Sequence, residues 1–161
     1  MRKAAIITGF IFFFFLIEYL IYHVAGRWWV PNLLLLAIIF FNLYLGIRYS
    51  IFAAIMAGML KDSFGTGAFG TDLFSFLISA YMTTILKQYI YHVTSHFPRI
   101  ILISCIVVVN IAMQFLLNMM QQPVSFWETV RFVLIPEFLT TIIIATFVIE
   151  WMKKCVSKLY V

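Results

Sequence analysis

Residues 31–60 read PNLLLLAIIFFNLYLGIRYSIFAAIMAGML, and the number of times this apolar stretch crosses a membrane decides the fold. A transmembrane helix needs about 20 residues to cross the hydrocarbon core, and this stretch is much longer. Gly46, Arg48 and Ser50 interrupt it with a small residue, a charge and a hydroxyl. The sequence therefore leaves two alternatives, which are one long tilted helix or two short helices joined by a tight turn over 46–50.

The rest of the chain is also strongly apolar. Of its 161 residues, 65% are hydrophobic and 11% are charged, whereas a typical soluble domain has about 25% charged residues. Further apolar runs cover 4–24, 72–91, 100–120 and 132–152. The first run is too long for a signal peptide and no clean cleavage site follows it, so we interpret it as a retained anchor. The net charge of +5 is too thinly spread to indicate nucleic-acid binding.

The distribution of basic residues favours two helices within 31–60. With two helices the chain has six spans, and most of its Lys and Arg residues lie on the side of both termini, namely Arg2, Lys3, Arg48, Lys87, Arg99, Lys153, Lys154 and Lys158. With one long helix the chain has five spans, this bias disappears, and Arg48 lies in lipid. Because cytoplasmic loops carry the excess of Lys and Arg, we predict that both termini are cytoplasmic.

We therefore predict an all-α integral membrane protein with six transmembrane helices in a single domain, residues 1–161. The expected spans are about 4–24, 31–46, 49–61, 72–91, 100–120 and 129–152. The third span is short, so it requires local thinning of the bilayer or burial among its neighbours. Ser125 and Glu128 have the spacing of a capping box, so the last span is expected to begin after them.

The segment GTGAFG, residues 65–70, has the G-x-G-x-x-G spacing of a dinucleotide-binding turn. That turn follows a strand and precedes an acidic residue by about 20 positions. Here an expected membrane helix comes first, and positions 85–95 contain no Asp or Glu. The glycines are better explained by a tight turn between spans three and four. Asp62 and Asp72 are placed to cap the end of one helix and the start of the next.

Two carboxylates lie inside the expected spans, Glu18 in the first and Glu137 in the last. An intramembrane carboxylate is energetically expensive and is therefore a functional candidate. Both could form a polar site between helices for a ligand or for a partner's helix. Alternatively, both could be protonated, hydrogen-bonded groups that lock helices together, or Glu18 could be hydrated near the interface. Pro136 is expected to kink the last span.

The remaining polar residues of the spans predict helix packing and no chemistry. Ala54 and Gly58 form a small-xxx-small pair that allows close helix contact, and Asn42, Asn110 and Gln114 are expected to form hydrogen bonds between helices. His92 and His96 share a helical face, but no third ligand is near, so we expect no metal site. We find no nucleophile–base pair, and we predict that the chain is not an enzyme and has no catalytic residue and no cofactor.

The central part of the chain combines glycines at helical spacing, a G-x-x-x-D step, a further glycine and an aromatic residue in the next span, namely Gly46, Gly58, Asp62, Gly67, Gly70 and Tyr81. This pattern resembles that of the rod shape-determining protein MreD family. The length, the short loops and the basic tail also match. Ala54 stands where a glycine is frequent in the family.

This resemblance implies a fold and a role. The fold would resemble the substrate-binding subunits of energy-coupling-factor vitamin transporters, which also have six helices. The protein would be a non-enzymatic scaffold in the inner membrane of a bacterium, within the elongasome that directs lateral peptidoglycan synthesis and rod cell shape. Its partners would be MreC, the synthase RodA with its transpeptidase, the MreB filament through MreC, and membrane lipid.

Two other functions remain open at the level of the sequence. The same six helices could enclose a polar pocket and serve as the binding subunit of a vitamin transporter, or the chain could be an unrelated membrane chaperone. A vitamin site would need several polar side chains in the outer half of the helices and in the loops. The loops are short and the helices are strongly aliphatic and aromatic, which favours the scaffold.

Overall fold

The computed structural model describes residues 2–25, 30–64, 70–90, 96–120 and 135–159. This part of the chain contains six α-helices and no strand, in agreement with the predicted all-α class. In chain order they are α1 (Arg2–Ala25), α2 (Leu33–Leu45), α3 (Ile47–Phe64), α4 (Thr71–Ile90), α5 (His96–Met119) and α6 (Ile135–Leu159). Gly67, His92, the capping box of Ser125 and Glu128, and the expected start of the last span near 129 lie outside the described residues.

The long apolar stretch contains two helices that are separated at Gly46. The N–H of Gly46 donates to the carbonyl of Phe41 at 3.1 Å, and the carbonyl of Gly46 accepts from the N–H of Ser50 at 3.2 Å. Its φ of 95° and ψ of 173° lie in a region that is essentially restricted to glycine. The break is therefore confirmed, and the alternative of one tilted helix is wrong. It is also tighter than the turn expected over 46–50, because α3 begins at Ile47.

Helix α2 lies at the centre of the bundle. All residues from Leu33 to Leu43 are buried, and the helix contacts α1, α3, α4, α5 and α6. A helix that is apolar on every side is expected in such a position. At its C-terminal end Asn42 donates to the carbonyl of Ala80 at 2.7 Å and to Thr84 Oγ1 at 2.9 Å, which confirms the hydrogen bonds expected between helices.

Three of the described helices are long and apolar enough to cross a membrane, through the segments Ala4–Val24, Pro98–Leu117 and Ile135–Lys154. Helix α2 is apolar but shorter. Helices α3 and α4 are more polar because they carry groups such as Lys61, Asp62 and Ser75, which bond to other helices inside the bundle. The crossing of the membrane by all six helices remains a prediction.

Aromatic side chains join the first helix to the last. The indole ring of Trp151 in α6 stacks on Phe13 with ring centroids 6.2 Å apart, and it meets Phe10 and Phe14 edge to face. Such contacts stabilise packing beyond the area that they bury. They fix α1 against α6, so the first and last helices of the chain are neighbours.

Candidate functional site

The polar side chains of the bundle concentrate near the junction of α3 and α4. Gly58 in α3 faces Leu73 in the first turn of α4, and a Cβ atom added at Gly58 would overlap the Cα of Leu73 and lie 2.9 Å from its Cβ. Four residues later on the same face, Asp62 accepts hydrogen bonds from the N–H groups of Asp72 at 3.0 Å and Leu73 at 3.1 Å. The glycine permits the close approach and the carboxylate binds the helix end that approaches.

Asp62 was expected to cap the end of α3 and Asp72 to cap the start of α4, and both predictions are wrong. Asp62 lies near the end of α3, yet it caps the start of α4, because a carboxylate accepts hydrogen bonds and free N–H donors occur only at helix starts. Asp72 lies in the first turn of α4 but its side chain turns to α5, where Oδ1 accepts from Gln114 Nε2 at 2.6 Å.

Lys61 is the cation of this region and links three helices. Its Nζ lies 3.5 Å from Glu18 Oε1 in α1 and 3.7 Å from Asp72 Oδ1 in α4, and it also lies 5.3 Å from the centre of the Phe76 ring. The other carboxylate oxygen of Glu18 accepts from the N–H of Leu34 in the first turn of α2 at 3.3 Å. Glu18 therefore satisfies a free donor of α2 and also balances the charge of Lys61.

Asn32 connects α2 to the last helix. Its Oδ1 accepts from the N–H of Leu35, which makes it the N-cap of α2. Its Nδ2 donates to Glu137 Oε1 at 3.2 Å, and its backbone N–H donates to Thr141 Oγ1 at 3.1 Å. Glu137 is thus hydrogen-bonded between helices, and the side chain that binds it was not singled out from the sequence.

Asn110 completes the connection through α5. Its Nδ2 donates to Ser75 Oγ at 3.0 Å and to Ser79 Oγ at 3.2 Å, and its Oδ1 lies 3.5 Å from Asn32 Nδ2. With Gln114 bonded to Asp72, the expectation that Asn110 and Gln114 join helices is confirmed.

We call these connected side chains the polar cluster, which consists of Glu18, Asn32, Lys61, Asp62, Asp72, Ser75, Ser79, Asn110, Gln114, Glu137 and Thr141. Its members come from five helices, α1, α3, α4, α5 and α6, and from the N-cap of α2. The carboxylates have nearby donors, either ammonium, amide or backbone N–H, so the arrangement is suited to holding helices in register. Among the described residues no group of three or more His, Cys, Asp or Glu side chains has the arrangement of a metal site.

The other candidates lie outside the polar cluster. Gly46 and Gly70 occupy connections next to helix starts, with φ of 95° and 101°. Ala54 is fully buried in α3, whereas Tyr81 in α4 is 58% exposed on the outside of the bundle. Four members of the polar cluster, Glu18, Asp62, Asp72 and Glu137, were candidate site residues on the basis of the sequence. Pro31-Asn32 before an apolar helix is an N-cap signal that could have identified Asn32.

A family model described as rod shape-determining protein MreD matches residues 2–159 of the chain. No curated protein and no solved structure matches the chain.

Proposed function

Because the chain belongs to the rod shape-determining protein MreD family, we propose that it is a scaffold of the elongasome that binds MreC and helps to direct lateral peptidoglycan synthesis. Family membership gives the chain a role in rod shape determination in a bacterial membrane, together with other proteins of the shape-determining machinery. The proposal adds the identity of those proteins, which are MreC, RodA with its transpeptidase, and MreB through MreC. It also adds that the role is non-enzymatic.

The observation that supports a scaffold is the use of the polar groups inside the bundle. Glu18 and Glu137, the two side chains that could have formed a ligand site, bond to Leu34, Lys61 and Asn32 of the same chain. A vitamin-binding subunit would need convergent polar groups that are open to a ligand. The alternative of a vitamin transporter is therefore not favoured, although we propose that the six helices share the arrangement of such subunits.

The outer surface offers apolar and aromatic side chains for contact with partner helices. Tyr81 and Phe74 lie seven positions apart in α4, on one face, and are 58% and 59% exposed. Aromatic residues are enriched at the energetically important positions of protein interfaces. We therefore propose that Tyr81 contacts a partner. We further propose that Gly46, Gly58, Gly67 and Gly70, together with Asp62 and Asp72, set the positions of the helices that form this surface.

Affinity purification from native membranes tests the scaffold function. The tagged chain should bring MreC with it, and Tyr81→Ala should reduce this capture while the abundance of the chain is unchanged. Tyr22→Ala is a matched control, because Tyr22 is an exposed tyrosine of another helix, α1. Recovery of an ATPase module of a vitamin transporter in place of MreC would refute the proposal.

A further inference from the structure

A second polar feature lies at the opposite end of α5 and α6 from the polar cluster. A small cleft of about 40 Å³ between these helices is lined by Arg99, Ile100, Ile103, Thr146, Ile149 and Glu150. Arg99 precedes Asn110 by eleven residues, which is about 16 Å along a helix. The cleft is therefore separate from the residues discussed above, and neither the scaffold function nor the helix packing accounts for it.

Arg99 presents an unused hydrogen-bond donor at this cleft. Its Nε atom is buried and has no hydrogen-bond partner among the described residues. A buried donor without a partner is energetically costly, and the cost is larger for a charged group. A guanidinium binds phosphate through two parallel N–H···O bonds, one of which can come from Nε. An anionic oxygen bound at Nε would satisfy this donor.

Glu150 places the opposite charge on the other wall of the same cleft. Among the described residues, no ion pair within 4 Å joins Arg99 to Glu150. A ligand that carries one negative and one positive group would therefore complement both walls. Ile100, Ile103 and Ile149 add an apolar surface next to these charges.

The two charges lie near the ends of apolar segments. Arg99 is the second residue of the segment Pro98–Leu117, and Glu150 lies four residues before the end of Ile135–Lys154. The ends of segments of this length coincide with the headgroup region of a bilayer, and basic pockets between membrane helices bind lipid headgroups.

We propose that this cleft binds a zwitterionic phospholipid whose cation is a primary ammonium, that is, a phosphatidylethanolamine. Arg99 binds the phosphate and Glu150 accepts hydrogen bonds from the ammonium group. The first carbons of the lipid lie against Ile100 and Ile103. The lipid then fills the gap between α5 and α6 and satisfies the Arg99 donor.

Native mass spectrometry of the full-length chain, released from detergent micelles with added lipid, tests the proposal. The lipids are phosphatidylethanolamine, phosphatidylcholine, which has the same charges but no N–H donor, and phosphatidylglycerol, which has no cation. We expect phosphatidylethanolamine to be retained about tenfold better than phosphatidylcholine, the ratio for one hydrogen bond between charged groups. Equal retention of these two lipids would overturn the proposal.

Variants identify the residues that bind each group. Arg99→Gln should lower the retention of all three lipids, and Glu150→Gln should abolish only the preference for phosphatidylethanolamine over phosphatidylcholine. Arg48→Gln removes an exposed positive charge outside the cleft and should change nothing. If Arg99→Gln retains lipid as well as Arg48→Gln does, the site is refuted. If Glu150→Gln is silent and phosphatidylglycerol binds equally well, the assignment to a zwitterionic lipid is refuted.

Ile100→Trp provides an independent test that leaves both charges in place. Ile100 is 39% exposed and lines the cleft, so a larger side chain can enter the cleft without displacing the core. We expect this variant to elute as a folded protein in gel filtration and to lose retention of phosphatidylethanolamine. If Ile100→Trp retains phosphatidylethanolamine as well as the unmodified chain does, the proposal is overturned. This outcome is decisive even if Arg99→Gln does not fold.

Discussion

At the scale of single residues, the G-x-x-x-D step of Gly58 and Asp62 has a physical explanation. Both residues act on the first turn of α4, where Gly58 makes room for the backbone of Leu73 and Asp62 binds its N–H. Either residue alone would be less effective, because the hydrogen bonds require the close approach. The pair therefore fixes the position of α4 relative to α3.

Gly58→Ala should destabilise the protein by about 1–3 kcal/mol, the usual range for an overpacked contact, because the new Cβ would overlap backbone atoms of Leu73. Gly9→Ala is the matched control, since a Cβ at Gly9 meets nothing within 4 Å. A thermal denaturation of the two purified variants in detergent measures the difference. Gly58→Leu should in addition lower the abundance in the membrane, whereas Leu60→Val should not. Equal melting temperatures for the two alanine variants would contradict the close contact.

Glu137→Gln should be tolerated and Glu137→Leu should be harmful. Glu137 Oε1 accepts from Asn32 Nδ2, and a glutamine retains that acceptor, whereas leucine leaves the buried Asn32 amide without it. Complementation of rod shape, together with the abundance of each variant in the membrane, measures the outcome. A folded and abundant Glu137→Gln protein that fails to restore rod shape would show that the charge is needed and would favour a ligand-binding or proton-coupled role.

At the scale of the helices, Gly46 determines that residues 31–60 form two helices. Gly46→Ala should lower the melting temperature, because φ of 95° with ψ of 173° costs a non-glycine residue about 1–3 kcal/mol. The cost arises from the backbone alone, since a Cβ at Gly46 would meet no atom within 4 Å. Gly9→Ala again serves as the control in the same melting experiment. An unchanged melting temperature for Gly46→Ala would mean that the connection adopts another conformation.

The sequence was sufficient for those features that depend on residues close together in the chain. The break at Gly46 follows from a glycine and two polar residues in an apolar run, and the position of Asn110 and Gln114 on one face of a helix follows from their spacing. The ion pairs of Lys61 do not follow from the local sequence, because its partners Glu18 and Asp72 belong to other helices. The role of Asp72 was misassigned for the same reason. Hydrogen bonds and ion pairs between distant segments can be predicted only when the arrangement of the helices is known, and local sequence patterns do not give that arrangement.

At the scale of the whole molecule, the prediction that remains to be tested is the topology. With six spans, both termini lie in the cytoplasm and residues 65–70 lie outside it. A reporter that is active only in the periplasm should be silent when fused after Val161 and active when inserted within residues 65–70. The opposite pattern would refute the six-span arrangement. Arg48→Glu in the same fusions is informative, because it weakens the bias of positive charge that motivates the orientation.

The ion pairs of Lys61 also constrain how the chain enters the membrane during its synthesis. Lys61 and Asp62 lie near the end of α3, and each opposes insertion of this short helix in isolation, since charged side chains in membrane segments are energetically costly. Glu18 is already synthesised when α3 leaves the ribosome, but the N–H groups of Asp72 and Leu73 that bind Asp62 are made later. Helix α3 therefore gains its full set of partners only with α4, so the two helices are expected to enter the bilayer together as a hairpin, against an α1 that is already in place.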